Sequence, residues 1–174
     1  MSSDTRPDLS SGGARFDAGL RQYLCLALRD EMVAVPIDCV REILEVGRLT
    51  VLPGTPDFVC GVLNLRGAVV PVIDVAARMG AVPCQVGKRS CIVVVDVRSG
   101  EDRRADILGV LVDAVFEVVD LDGDALEPVP GFGNAWPAEF LAGMVRVRAQ
   151  PVPVLDLGAA LAPEVLATLI ADAA

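Results

Sequence analysis

Short runs of Val, Ile and Leu, separated by clusters of Gly, Pro and charged residues, dominate the chain. Two of these runs, YLCLAL at 23–28 and CIVVVDV at 91–97, open two stretches of similar composition. The breaks between runs are typical turn sequences: RDE at 29, LPGTPD at 52 and RSGEDRRAD at 98. Runs of this length with such breaks predict small antiparallel β-units that are closed or half-closed barrels.

Helical patterns are few and short. DVAARM at 74–79 and PEVLATLIADA at 163–173 have the composition of helices, and the second begins with a proline, which suits a first helical turn. Asp74 and Asp156 each end an apolar run before an Ala-rich segment, where a carboxylate can cap exposed backbone N–H groups. The pattern therefore predicts a mainly β protein with short helices and a C-terminal helix.

Two segments of the chain match two later segments in the same order. FVCGVLNLRGAVVPVIDV from Phe58 aligns with FLAGMVRVRAQPVPVLDL from Phe140, and AVPIDCVREILEV from Ala34 aligns with GVLVDAVFEVVDL from Gly109. The matched pairs are Phe58 with Phe140, Gly61 with Gly143, Arg66 with Arg148, Pro71 with Pro153, Asp74 with Asp156, Asp38 with Asp113, Val40 with Val115 and Glu42 with Glu117. This repetition predicts two half-sized units of similar architecture.

Several runs are apolar at nearly every position, including AVVPVI, CIVVVDV and ILGVLV. A strand with one solvated face would alternate apolar and polar residues, so both faces of these strands are expected to be covered. A barrel interior covers one face only. The other face must pack on the sister unit, on the C-terminal helix or on another protein, because soluble monomers seldom expose large apolar patches.

The length of 174 residues allows one ordinary domain or two small subdomains and excludes a large multidomain enzyme. Residues 1–19, rich in Ser, Gly and Asp, are expected to be a disordered leader. Residues 20–174 are expected to form a single domain of two pseudo-repeated subdomains. Their approximate ranges are 33–90, together with terminal segments, and 91–157.

Composition and charge argue against several locations and partners. The apolar fraction is 53%, but no run approaches the roughly 20 apolar residues of a membrane helix, and the leader lacks the apolar core of a signal peptide. We therefore expect a cytoplasmic protein without direct membrane insertion. The net charge of −9 repels phosphate backbones, which makes nucleic acid an unlikely main partner and favours protein partners.

The chain carries few residues that could perform catalysis. There is no histidine, one lysine and one tyrosine, and no nucleophile elbow, phosphate-binding loop or dinucleotide fingerprint is present. The five cysteines show no CxxC spacing, which predicts small core residues and neither a metal site nor a cofactor. One enzymatic alternative remains, an acid-pair hydrolase in which Asp74 faces Asp156 or Glu42 faces Glu117. The prediction is that the protein has no catalytic residues.

From Tyr23 to about Leu169 the chain resembles the CheW family of chemotaxis coupling proteins. The resemblance rests on YLCLALRDEMVAVPIDCVREILEV, LPGTPDFVCGVLNLRGAVVPVIDV, ILGVLVDAVFEVVDL and FLAGMVRVRAQPVPVLDL. It implies two five-stranded β-barrel subdomains and a non-catalytic scaffold. Such a scaffold couples chemoreceptor signalling tips to the regulatory domain of a CheA-like histidine kinase, in receptor arrays at the inner membrane. A pilus-motility or surface-sensing pathway would use the same adaptor role.

The resemblance also implies which residues contact the partners. Receptor binding is implied for the NLRG hairpin, for the V-x-E segment and for exposed apolar strand residues of the second subdomain: Val40, Glu42, Asn64, Arg66, Gly67, Ile92 and Val115. Kinase binding is implied for Ile43 and Leu44. For Arg66 an alternative stays open, because an exposed arginine often pairs with a local acid and such pairs are individually weak.

Overall fold

The structure is a computed structural model and describes residues 19–99 and 104–173. The predicted leader, 1–19, lies outside the described residues except for Gly19. The strands are β1 (Leu20–Leu28), β2 (Glu31–Pro36), β3 (Val40–Glu45), β4 (Val59–Leu65), β5 (Ala68–Asp74), β6 (Cys91–Ser99), β7 (Arg104–Val112), β8 (Ala114–Asp122), β9 (Leu141–Val147) and β10 (Gln150–Leu155). The helices are α1 (Val75–Arg78), α2 (Leu157–Leu161) and α3 (Pro163–Ala173), with 3₁₀ turns at Ile37–Cys39 and Ala138–Phe140.

The strands form two five-stranded sheets. Sheet A has the order β8-β1-β2-β10-β9, and sheet B has the order β3-β6-β7-β5-β4. Neighbouring strands are antiparallel except for the central pairs β2–β10 and β5–β7, which are parallel. The predicted mainly β fold of two five-stranded units is therefore confirmed.

Each sheet combines strands from both halves of the sequence repeat. Sheet B is built from one continuous segment, 40–112, whereas sheet A joins 20–36 to 114–155. The predicted ranges 33–90 and 91–157 thus describe the repeated halves of the sequence but not the two sheets. The chain crosses between the sheets twice, through the 3₁₀ turn Ile37–Cys39 and at Asp113, the single residue between β7 and β8.

Both faces of the apolar strands are covered, as predicted. In β6, Val93 and Val95 belong to the large core cluster that draws residues from both sheets, while Ile92 and Val94 belong to a smaller cluster inside sheet B. A third cluster lies inside sheet A. Leu166 of α3 is buried in the large cluster, so the C-terminal helix covers part of the core between the sheets.

The sheets do not close into barrels, which corrects the expectation of closed units. Each sheet keeps two edge strands, and the nearest approach to closure is one isolated bridge per sheet, Thr50–Val62 in sheet B and Glu127–Met144 in sheet A. The chain leaves the extended conformation after β3 and meets the edge of β4 at a single residue. The Thr50–Val62 bridge consists of two hydrogen bonds, of 2.8 and 2.9 Å. A single bridge of this kind does not extend into a continuous ladder between β3 and β4.

The equivalence of Gly61 and Gly143 is confirmed in the strand register. Gly61 pairs with Val72 and Gly143 with Val154, and each glycine follows a bulge in its strand. A Cβ at Gly61 would lie 2.6 Å from the Thr50 carbonyl oxygen, and one at Gly143 would lie 2.7 Å from the Glu127 carbonyl oxygen. Glycine is needed at both positions because the bridging segment crosses the strand so closely.

The predicted helix caps are also confirmed. The Asp74 carboxylate accepts a hydrogen bond from the Ala77 N–H at 3.2 Å, and the Asp156 carboxylate accepts one from the Ala159 N–H at 3.1 Å. Helix α3 has the predicted bounds, and the Ala-rich segment after Asp156 forms the short helix α2. None of the helices in 19–99 and 104–173 has the length and hydropathy needed to cross a membrane.

Candidate functional site

The NLRG sequence forms the tight turn between β4 and β5. Arg66 and Gly67 are the two turn residues, with φ values of 52° and 86°, which is the pattern of the hairpin turn whose twist matches the flanking strands. The Asn64 side-chain oxygen accepts a hydrogen bond from the Gly67 N–H at 3.0 Å. The motif therefore fixes a rigid hairpin that presents Arg66 to solvent.

Arg66, in the turn next to the edge strand β4, pairs with Glu42 on β3, the opposite edge strand of sheet B. The Arg66 guanidinium donates to both carboxylate oxygens, at 2.6 and 3.2 Å, and its side chain remains 73% exposed. The hydrogen bond from Arg66 lowers the pKa of Glu42, and the same bond raises the pKa of Arg66. The pair is an exposed, planar arrangement of donors and acceptors at the end of a rigid hairpin.

A bulge at Arg41 divides the residues of β3 between two faces. Val40 pairs with Val95, whose side chain faces the core between the sheets, whereas Glu42 pairs with Val94, whose side chain faces the interior of sheet B. Paired residues of antiparallel strands lie on the same face. Val40 and Glu42 therefore lie on opposite faces of the sheet.

The two residues implied for kinase binding are likewise separated. Ile43 pairs with Val93 and is 43% exposed at the sheet edge, whereas Leu44 pairs with Ile92 and packs against the interior cluster of sheet B. Their side chains lie on opposite faces of β3. Only Ile43 presents a substantial apolar surface to solvent.

The implied exposure of Ile92 is wrong. Ile92 is 1% exposed, because β6 is an interior strand of sheet B between β3 and β7 and its side chain lies in the apolar interior of that sheet. Val115 lies in the other sheet, half-buried against the core. Of the receptor-binding residues that the resemblance implies, the structure brings four together in one exposed cluster: Glu42, Asn64, Arg66 and Gly67.

Sheet A contains a matching arrangement that the sequence comparison did not single out. Arg148 and Ala149 form the β9–β10 turn with φ values of 50° and 68°, and the Arg148 guanidinium pairs with Glu117 on the edge strand β8. Arg148 and Glu117 are the repeat partners of Arg66 and Glu42. The two repeat matches, Arg66 with Arg148 and Glu42 with Glu117, together contained this signal, but the second hairpin lacks an NLRG turn.

The residues of the predicted acid-pair alternative are not brought together. Glu42 and Glu117 each pair with the arginine of their own sheet. Asp74 borders a cavity of about 490 Å³, and Asp156 borders a different cleft of about 550 Å³. The described residues include no group of three side chains that could hold a metal ion. The geometry therefore gives no support to an acid-pair hydrolase.

A partly buried polar network around Arg29 was not predicted from the sequence. The Arg29 guanidinium contacts both carboxylate oxygens of Asp74 at 3.0 and 3.1 Å, one of Asp113 at 3.3 Å, and the Val82 carbonyl oxygen at 2.6 Å. Burial acts to lower the pKa of Arg29, but the charges of Asp74 and Asp113 raise it overall. The sequence held one signal, the arginine that opens the RDE turn. In the structure its φ is 58°, a value that is uncommon for a residue other than glycine.

Two half-buried cysteines border the cavity next to Asp74. Burial, with the charge of Asp74, raises the pKa of Cys60 to about 11. Burial and a hydrogen bond to Asp113 raise the pKa of Cys84 to about 12. Thiolates are the reactive form of cysteine, so both side chains are protonated and unreactive at neutral pH.

We expect iodoacetamide at pH 8 to alkylate Cys60 about two hundredfold and Cys84 about two thousandfold more slowly in the folded protein than in urea, where a thiol has its ordinary pKa of about 8.5 and the thiolate fraction is correspondingly larger. Peptide-resolved mass spectrometry measures both rates. In the folded protein the rate should rise about tenfold per pH unit up to pH 10. A rate that levels off near pH 9 would contradict the raised pKa values.

Comparison with known proteins gives a consistent picture. Residues 22–164 match the model of the CheW-like domain. The probable chemotaxis protein CheW of Rhizobium etli is 32% identical over 144 residues, which cover 83% of this chain and 89% of the relative. Protein FrzA of Myxococcus xanthus is 32% identical over 126 residues, which cover 72% and 74% of the two chains.

A solved structure has the same architecture. The crystal structure of the scaffolding protein TtCheW from Thermoanaerobacter tengcongensis superimposes with a TM-score of 0.69 at 28% identity and covers 79% of this chain and 89% of that one. The family model alone spans well over half of the chain. The chain therefore belongs to the CheW-like domain family, as the resemblance of its motifs predicted.

Proposed function

We propose that the protein is a non-catalytic adaptor in bacterial chemotaxis, which couples chemoreceptors to a CheA-like histidine kinase. The observation that carries the proposal is the CheW-like match over 22–164, combined with an exposed arginine–glutamate pair at the end of a rigid hairpin. Relatives named chemotaxis protein CheW and a relative titled as a scaffolding protein support the same role. The chain has few nucleophiles, and the candidate acids serve as caps and ion-pair partners.

The receptor-binding surface that we propose consists of Glu42, Asn64, Arg66 and Gly67. The two-residue turn orders the backbone before any partner binds, which lowers the entropic cost of binding. The Arg66 side chain offers a planar fork that matches a partner carboxylate, and exchange of Glu42 for that carboxylate keeps the guanidinium paired. Val40 and Val115 border the core on other parts of the surface and stay secondary candidates.

The kinase contact in this proposal uses Ile43 rather than Leu44, because only Ile43 is substantially exposed. We further propose that the adaptor works in the cytoplasm and is recruited to receptor arrays at the inner membrane. The partners in this assignment are the signalling tip of a receptor and the regulatory domain of the kinase. A pilus-motility or surface-sensing pathway stays the alternative setting for the same adaptor role.

Arg66→Ala tests the receptor contact. We expect it to weaken binding of a receptor signalling-tip fragment by about 2 kcal/mol or more, roughly thirtyfold in Kd, because a desolvated partner carboxylate is left without its cation. Isothermal titration calorimetry measures the loss. Binding of the kinase regulatory domain should stay within twofold of wild type.

Arg148→Ala is the matched control, because Arg148 occupies the same turn position and pairs with the equivalent glutamate in the other sheet. Each variant loses one exposed ion pair, so each should change the free energy of unfolding by only about 0.5 kcal/mol. We expect receptor binding to fall in Arg66→Ala alone. Equal losses in both variants, or unfolding of Arg66→Ala, would remove the hairpin from the receptor-binding surface.

A further inference from the structure

Two crossings of the chain connect the two sheets. At the first crossing, Ile37–Cys39, no residue is buried, and Asp38 lies beside the cleft of about 550 Å³. At the second crossing, Asp113 donates its N–H to the Ala27 carbonyl oxygen at 2.9 Å and accepts the backbone N–H of Arg29. Asp38 and Asp113 are repeat partners, so the two crossings occupy equivalent places in the two halves of the repeat.

Arg29 is the residue that ties the second crossing. It lies in the β1–β2 turn of sheet A, and its guanidinium bridges Asp113 at the crossing to Asp74 at the end of β5 in sheet B. The same guanidinium binds the Val82 carbonyl oxygen in the segment that leads to β6. One side chain thus makes directional bonds to both sheets and to the crossing between them.

The backbone conformation of Arg29 is energetically unfavourable, so contacts with the surrounding structure must hold it in place. Its φ of 58° lies in the left-handed region, which residues other than glycine occupy rarely. Its Nε is buried and has no hydrogen-bond partner in the part of the chain that the structure describes. Both features are unfavourable, and such features persist where surrounding structure fixes the residue for a purpose.

The core between the sheets does not itself fix their angle. Apolar contacts are non-directional and permit small sliding motions between packed layers. The bonds of Arg29 have defined distances and directions, and Asp74 is 2% exposed, so water competes poorly for them. The bonds of Arg29 therefore add a directional constraint between the sheets to the non-directional contacts of the core.

We propose that Arg29 is a positioning residue that fixes the angle between sheets A and B by joining the crossing at Asp113 to Asp74. Strand β5 runs from the Arg66–Gly67 turn directly to Asp74. Arg29 therefore links the hairpin of sheet B mechanically to sheet A. Its functional meaning rests on the adaptor role proposed above. The link holds the receptor-facing hairpin in a fixed orientation relative to the rest of the adaptor.

Arg29→Lys is the informative variant. A lysine keeps a positive charge beside Asp74, which preserves the fold, but its single ammonium cannot reproduce the planar fork that bridges Asp74, Asp113 and the Val82 carbonyl oxygen. Arg41→Lys is the matched control, because Arg41 pairs with Asp96 at 3.0 Å within sheet B alone.

The first measurement is the distance between spin labels introduced through a non-natural amino acid at Glu45 in sheet B and at Asp122 in sheet A, both exposed. We expect electron paramagnetic resonance to show a distance distribution at least twice as broad in Arg29→Lys as in wild type. Arg41→Lys should keep the wild-type width. An unchanged distribution in Arg29→Lys would overturn the positioning role.

The second measurement tests whether Arg29 couples binding of the kinase to binding of the receptor. Binding of the kinase regulatory domain is titrated with and without a receptor signalling-tip fragment. We expect Arg29→Lys to keep each single affinity within twofold while the effect of one partner on the other falls at least fivefold. Full coupling in Arg29→Lys would overturn the inference. If the wild-type protein binds neither partner, the adaptor role fails, and the distance measurement still decides whether Arg29 fixes the sheets.

Discussion

Asp74→Ala is expected to lower the free energy of unfolding by about 3 to 5 kcal/mol, because it removes a buried carboxylate that accepts hydrogen bonds from the Arg29 guanidinium and from two backbone N–H groups. The Asp74 carboxylate is 2% exposed and is shared by three donors. It binds the Arg29 guanidinium, the Cys84 N–H at 2.7 Å and the Ala77 N–H that begins α1. Urea denaturation followed by circular dichroism measures the loss.

Asp156→Ala provides the matched control for this prediction. Asp156 is the repeat partner of Asp74 and caps α2 with the same geometry, but its side chain is exposed. Loss of a helix cap costs about 1 kcal/mol. The difference between the two variants therefore isolates the buried network. Similar losses in both would mean that Asp74 acts as a cap alone.

Gly61→Ala is expected to destabilise the protein by about 3 kcal/mol. Two effects add: a left-handed backbone costs an alanine about 1–2 kcal/mol, and overpacking costs about 1–3 kcal/mol. The new Cβ would lie 2.6 Å from the Thr50 carbonyl oxygen, a backbone atom that cannot rotate away, and φ at Gly61 is 145°. For a chain of this size the melting temperature should fall by roughly 6 to 12 °C.

Gly67→Ala and Gly143→Ala separate the cost of a positive φ from the cost of overpacking. Gly67→Ala meets a positive φ of 86° but no atom within 4 Å, so it should cost only about 1 kcal/mol. At Gly143 the added Cβ would meet the Glu127 carbonyl oxygen at 2.7 Å. Differential scanning calorimetry measures the melting temperatures of Gly61→Ala, Gly67→Ala and Gly143→Ala and so ranks their stability losses. If Gly67→Ala is as damaging as Gly61→Ala, close packing against the bridge is not the reason for the glycine.

The features that were predicted correctly from the sequence depend on the spacing of residues that are close together in the chain or that recur in the repeat. The caps at Asp74 and Asp156 follow from a carboxylate placed before a helix-forming segment. The equivalence of Gly61 and Gly143 follows from the repeat, because duplicated strands keep the same bulge. The apolar character of β6 on both faces correctly predicted that its two sides are covered.

The features that the sequence did not reveal depend on which strands become neighbours. Ile92 was expected on the surface, but the order of sheet B makes β6 an interior strand. The Arg29 network joins residues that lie 45 and 84 positions apart, and no local pattern relates them. The division of β3 into two faces results from one bulge at Arg41, which shifts the alternation of side chains.

The division of the chain between the sheets also has a consequence for biosynthesis. Sheet B uses the continuous segment 40–112 and can be completed as soon as β7 has left the ribosome, whereas β1 and β2 emerge first and need 114–155 as partners. Until then the apolar side chains of β1, among them Leu24, Leu26 and Leu28, lack their final neighbours. The first hairpin therefore has to wait during synthesis for its partner strands, whereas all strands of sheet B are available earlier.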